Sequence, residues 1–102
     1  WACRSDAVKL LMIVVDEAKK EELAVVLEEA GVVGYTEISR AVGMGLTGPR
    51  LGSRAFPRTS AVVFTILPPA ALDALRERIR AFCAHCGERL KMVAWDVEEV
   101  EL

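Results

Sequence analysis

Residues 9–15, KLLMIVV, form a nearly unbroken apolar run of strand length, the pattern of a strand covered on both faces or placed centrally in a sheet. A second run at residues 61–67, AVVFTIL, is uncharged and rich in β-branched residues, so it reads the same way. What lies between and beyond these two runs sets the order of elements. After the first, Asp16 offers an N-cap and Glu17 puts negative charge in the first helical turn. Leu23, Val26, Leu27 and Ala30 then recur at helical spacing until Gly31 supplies the residue just past the helix. A short link at 32–35 leads to residues 36–42, TEISRAV, which alternate loosely and carry Glu37 and Arg40, as suits a sheet edge. Pro68 and Pro69 end the second run, and a proline is acceptable at the first helical position because its missing N–H would have no partner there. Leu72, Leu75, Ile79, Phe82 and Cys83 then make one apolar stripe, with Gly87 as the stop. Residues 90–97, LKMVAWDV, read as the last strand.

The resulting order is βαββαβ, with the two uncharged runs as first and third strands. In the ferredoxin-like, split βαβ arrangement these are the central strands of a four-stranded antiparallel sheet with both helices on one face, an α+β fold. Helices cover only one face, yet Lys9 is the only charge in either central run. The second face is therefore apolar, and a small domain hides such a face against copies of itself, so a homo-oligomer with sheets packed inward is expected.

Composition agrees with a globular domain. The chain has 102 residues, 53% hydrophobic and 27% charged, which fits one domain with a single core and excludes disorder. A net charge of −2 argues against a nucleic-acid partner. No apolar run approaches the roughly 18 to 20 residues of a membrane span, and no basic segment precedes an apolar one at the start. Three cysteines do not make a disulfide framework, so a reducing cytoplasm is the expected setting. Residues 1–8 show no periodicity and are read as an extension, leaving residues 9–102 as the domain.

One stretch fits no period. Residues 43–60, GMGLTGPRLGSRAFPRTS, hold four of the seven glycines, two of the four prolines and three arginines without an acid. A loop of this length is uncommon in a compact domain unless it serves a function. Gly43 and Gly45 flank Met44 in a way that would let backbone amides approach an anion, or would simply end a strand. Arg50, Arg54 and Arg58 recur every four residues and could dock an acidic surface or a phosphate, or be solvated. Phe56 would add an apolar anchor. At the far end of the chain, Cys83, His85 and Cys86 offer soft donors for a metal such as zinc or a redox pair. Cys83 equally continues the buried stripe, where a free thiol behaves as a small apolar residue. Arg89 and Lys91 could hold phosphates or be ordinary edge charge. No nucleophile, base and orienting group can be assembled around the lone His85, so the chain is not read as an enzyme.

The chain resembles the PII-like signalling proteins, relatives of the nitrogen regulatory protein PII, over about residues 8–100. KLLMIVVDEAKKEELAVVLEEAGVVGYTEI looks like that family's first strand, helix and second strand. Residues 43–60 resemble its T-loop, residues 85–90 its B-loop, and KMVAWDVEEV its last strand. The resemblance implies a trimer that binds ATP, ADP, AMP or another small effector in clefts between subunits. It would signal through the loop to a regulated enzyme or a membrane transporter. It implies effector contacts at Gly43, Gly45, Thr47, Gly87, Arg89 and Lys91. Leu46 and Thr47 stand where PII has Arg and Gln, which places the chain in a divergent branch, and no tyrosine lies in the loop for uridylylation. The competing reading is a metal-responsive, CutA-like oligomer using Cys83, His85 and Cys86.

Overall fold

A computed structural model describes residues 7–45, 48–53, 58–86 and 90–102. β1 (Val8–Asp16) runs through a 3₁₀ turn into α1 (Lys20–Glu29). β2 (Thr36–Ala41) follows, then the short strands β3 (Gly43–Gly45) and β4 (Gly48–Arg50), β5 (Ser60–Leu67), α2 (Pro69–Cys86) and β6 (Lys91–Val97). The four long strands form one antiparallel sheet in the order β2-β5-β1-β6. The uncharged runs are central, the charged ones are edges, and the fold is the expected ferredoxin-like βαββαβ. β1 begins at Val8, which pairs with Val97, one residue before the expected start of the domain.

The core explains why each element forms. Leu11, Ile13 and Val15 on β1 alternate with less buried neighbours, and with Ala61, Val63 and Leu67 on β5 they floor one layer. Leu23 and Leu27 of α1 and Leu72, Leu75 and Ile79 of α2 close over them. Fully burying one such side chain is worth about 1.5–3 kcal/mol relative to exposure. Asp16 caps the 3₁₀ turn, its Oδ1 accepting the Ala18 N–H at 2.8 Å. At the other end of α1, Gly31 has φ +82, its N–H donates to Glu28 O, and Val32 N–H donates to Leu27 O at 3.0 Å. That is a complete Schellman motif, with half-buried Val32 packed against the core as its apolar contact.

Cross-strand partners share a face, and the register assigns the other one. Leu10, Met12 and Val14 pair with Ile66, Phe64 and Val62 on β5 and with Trp95, Val93 and Lys91 on β6, while Ile38 pairs with Val62. This apolar face carries no helix, and Ile38, Ile66 and Trp95 remain 52%, 46% and 44% exposed. Trp95 thus lies on the open face, whereas Met92 packs against the covered core.

The stretch without a readable period contains order that composition hides. Gly43 pairs with Arg50, Met44 with Pro49 and Gly45 with Gly48, a hairpin that corrects the expectation of a loop throughout. Three-residue strands built largely of glycine and proline are too short and too bare to show alternation. Further on, Gly52 has φ +67 and its N–H reaches Arg58 O at 3.4 Å. A Cβ there would stand 3.0 Å from Thr59 Cγ2, so a larger residue would carry backbone strain and would have to push the Thr59 side chain aside.

Candidate functional site

The excursion that holds the hairpin leaves the sheet at an irregularity. Ile38 pairs with Val62 and Ala41 with Ser60, so Ser39 and Arg40 together face Ala61, a β-bulge. Arg40 sits at φ +59, a left-handed conformation that costs a residue with a Cβ about 1–2 kcal/mol. Its N–H is turned to Glu17 Oε1 at 2.6 Å. The same oxygen accepts the Thr59 hydroxyl at 3.2 Å, and the Glu17 N–H donates to Thr59 O at 3.0 Å. Lys20 holds the other carboxylate oxygen at 2.8 Å, donates to Ser39 Oγ at 3.0 Å and lies 3.4 Å from Glu37. Buried Asp16 adds a second tie, its Oδ2 3.3 Å from Arg58 Nε. The hydrogen bond from Lys20, then that from the Arg40 N–H, hold the Glu17 carboxyl below the ordinary glutamate range. Glu17 in turn raises the Lys20 ammonium above its own.

At the opposite end of β2 from this network, the start of the strand borders an open depression of about 320 Å³ lined by Leu10, Gly34, Tyr35, Thr36, Phe64, Thr65 and Ile66. The pairing of β1, β5 and β2 brings these residues together from three parts of the chain. Thr65 is buried and its hydroxyl donates to Gly34 O at 2.6 Å, which fixes the backbone at the rim. Leu10, Phe64 and Ile66 are the depression's apolar lining residues, while Tyr35 and Thr36 are lining residues that carry hydroxyls. Such a surface can take a flat, mostly apolar group with a few polar atoms at its margin.

Of the candidate effector contacts, Gly43, Gly45 and Lys91 are among the described residues. Gly43 and Gly45 lie in β3, past the β2 edge, and no atom stands within 4 Å of where a Cβ on Gly43 would be. Lys91 opens β6 at the opposite edge and is exposed. Three interstrand spacings of about 4.8 Å, or roughly 14 Å, part the two edges within one copy. Thr47, Gly87, Arg89, Arg54 and Phe56 lie outside the described residues. Arg50 ends β4, and Arg58, whose side chain is 68% exposed, has its Nε 3.3 Å from Asp16 Oδ2 at the returning root. Cys83 packs against the core while His85 is exposed, because residues two apart on a helix do not share a face; Cys86 closes the same helix. Among the described residues no three His, Cys, Asp or Glu side chains gather as a metal site. Sequence reasoning passed over Tyr35, Thr36 and Phe64, which come together through strand pairing that no local pattern announces.

A family model described as "Nitrogen regulatory protein P-II" matches residues 8–101. No curated protein matches the chain in sequence. Among solved structures it is similar to CPII of Thiomonas intermedia, described as a nitrogen regulatory PII-like protein bound to ADP, AMP and bicarbonate. That match has 24% identity and a TM-score of 0.70, covering 89% of this chain and 88% of that one. A PII-like signalling protein from Thermus thermophilus matches at 20% identity and TM-score 0.65, over 89% and 87%. A DUF3240 family protein from Shewanella baltica matches at 16% identity and TM-score 0.69, over 93% and 94%. At these identities the likeness is one of fold.

Proposed function

The chain belongs to the nitrogen regulatory protein P-II family, one of regulatory proteins rather than enzymes, and we propose that it senses an adenine nucleotide between the subunits of a homotrimer. One observation carries this reading. The depression at the β2 edge and the cation Lys91 on the β6 edge lie too far apart to touch one small ligand within a copy. A second copy must bring its β6 edge to the first copy's β2 edge for both to act together. The rest of the uncovered face, Met12, Val14, Ile38 and Trp95, supplies the apolar area for that association.

The chemistry of the depression suits the base and sugar of a nucleotide. Leu10, Phe64 and Ile66 would pack against the purine, and the Thr36 hydroxyl would meet a polar edge. Its volume lies at the lower end of the roughly 300–1,000 Å³ typical of small-molecule sites, consistent with a cleft that a neighbouring copy completes. The description of CPII as bound to ADP and AMP supports the same class of effector. Gly43, Gly45, Thr47, Gly87, Arg89 and Lys91 are the residues proposed to reach its phosphates.

Residues 43–60 then form the output, contacting a regulated enzyme or a transporter. Val42, Met44 and Leu51 are 63%, 75% and 47% exposed, apolar groups of the kind that anchor an interface. Arg50, Arg54, Phe56 and Arg58 are its remaining proposed contacts.

Titration calorimetry with ADP, AMP and ATP, beside light scattering, tests the proposal. Saturable heat from at least one nucleotide and a mass three times that of the chain are expected. A monomer, or silence toward all three nucleotides at millimolar concentration, would overturn it. Heat from Zn²⁺ alone would favour the metal-responsive reading instead.

A further inference from the structure

The excursion departs through Ser39 and Arg40 and returns through Arg58 and Thr59. The groups that meet both roots come from one short turn, Asp16 and Glu17, at the end of β1. Glu17 is central to it. A single oxygen, Oε1, accepts from the Arg40 N–H on the departing side and from the Thr59 hydroxyl on the returning side. The Glu17 backbone is itself bonded to Thr59, and Lys20 fixes the second carboxylate oxygen while reaching Ser39 and Glu37 of β2. Arg58 is tied next door, to Asp16. The bulge opposite Ala61 and the left-handed backbone at Arg40 leave that N–H without a place in the regular ladder, so the carboxylate supplies the partner that β5 cannot.

We propose that Glu17 is a latch: its carboxylate joins the two roots of the excursion and sets the direction in which the hairpin leaves the sheet. The sheet alone does not set this direction, because its pairing with β2 is interrupted where the chain turns out. Releasing the latch frees the roots while the covered core, which Glu17 does not enter, stays folded. The latch needs only the fold. Its consequence for partner contact rests on the function proposed above.

Hydrogen exchange and limited trypsin digestion of the full chain test it. In Glu17→Ala the Arg40 amide is expected to exchange at least tenfold faster and cleavage after Arg40 and Arg58 to quicken at least fivefold. The amides of Leu11, Ile13 and Leu75 should stay within twofold of the parent. Glu17→Gln keeps an acceptor oxygen and should restore most of the protection at Arg40. A general structural role would instead accelerate core and root amides together, which would overturn the latch, as would an Arg40 amide that exchanges no faster in Glu17→Ala. Should Glu17→Ala fail to fold, Thr59→Val removes one donor to the same oxygen. A two- to fivefold faster Arg40 amide is then expected, and an unchanged one overturns the proposal. Failure to bind nucleotide would sink the function proposed above without altering any of these rates.

Discussion

The two faces of the sheet are built from the same strands and nearly the same residue types, yet they meet different surroundings. On β1, Leu11, Ile13 and Val15 are at most 1% exposed beneath α1 and α2, while Leu10, Met12 and Val14 between them are only half-buried. One face is finished by the chain's own helices; the other is apolar and uncovered. The difference teaches that apolar character alone does not say what a strand packs against. The first face should govern whether a single chain folds, and the second whether chains associate.

The sharpest way to break that division is to hollow the covered face. Leu75 is 0% exposed, and Leu75→Ala should lower unfolding stability by about 2–5 kcal/mol in urea denaturation, through lost transfer energy plus a cavity. A smaller effect should come from the turn that seats α1 over this core. Gly31→Ala forces a Cβ into the left-handed region at φ +82 and should cost about 1–2 kcal/mol in the same measurement. On the uncovered face, Ile66→Asp should change subunit stability by only about 0.5 kcal/mol, as for a surface substitution. It should nonetheless shift the mass by light scattering toward that of one chain. A large loss of stability with no change of mass would erase the distinction between the faces.

The smallest expected effect lies at the loop roots, which belong to neither face. The Glu17 carboxyl is held below its ordinary value of 4.5. A carboxylate with a lowered folded pKa adds stability that is present above that ordinary value and is lost as pH falls through the lowered one. Melting temperatures recorded from pH 7 down to pH 3 should therefore show a loss confined to the acid end, and Glu17→Gln should flatten it.

Most of the fold is legible in the chain because it rests on local rules. The uncharged runs at 9–15 and 61–67 became the central strands, Gly31 ended α1 with the expected positive φ, and the stripe through Leu72, Leu75, Ile79 and Phe82 was buried. The candidate site is less legible, since it depends on pairing. Leu10, Thr36 and Phe64 line one depression only because β1 and β2 both lie against β5. The bulge at Ser39 and Arg40 is a property of register, and no residue type announces it. Arg58 looked free in an acid-free stretch because its partner, Asp16, precedes it by a whole helix and three strands.

The bulge bears also on what the molecule avoids. β2 is an edge strand, and an unpaired edge is a template on which another strand can add, copy after copy, into an open-ended filament. Here the regular part of that edge ends at Ile38; beyond it the backbone turns left-handed at Arg40, and the charged side chains of Glu37 and Arg40 flank the break. An incoming strand would find only a few residues to align with before its register failed. The irregularity at the root of the excursion thus also limits strand addition along this edge.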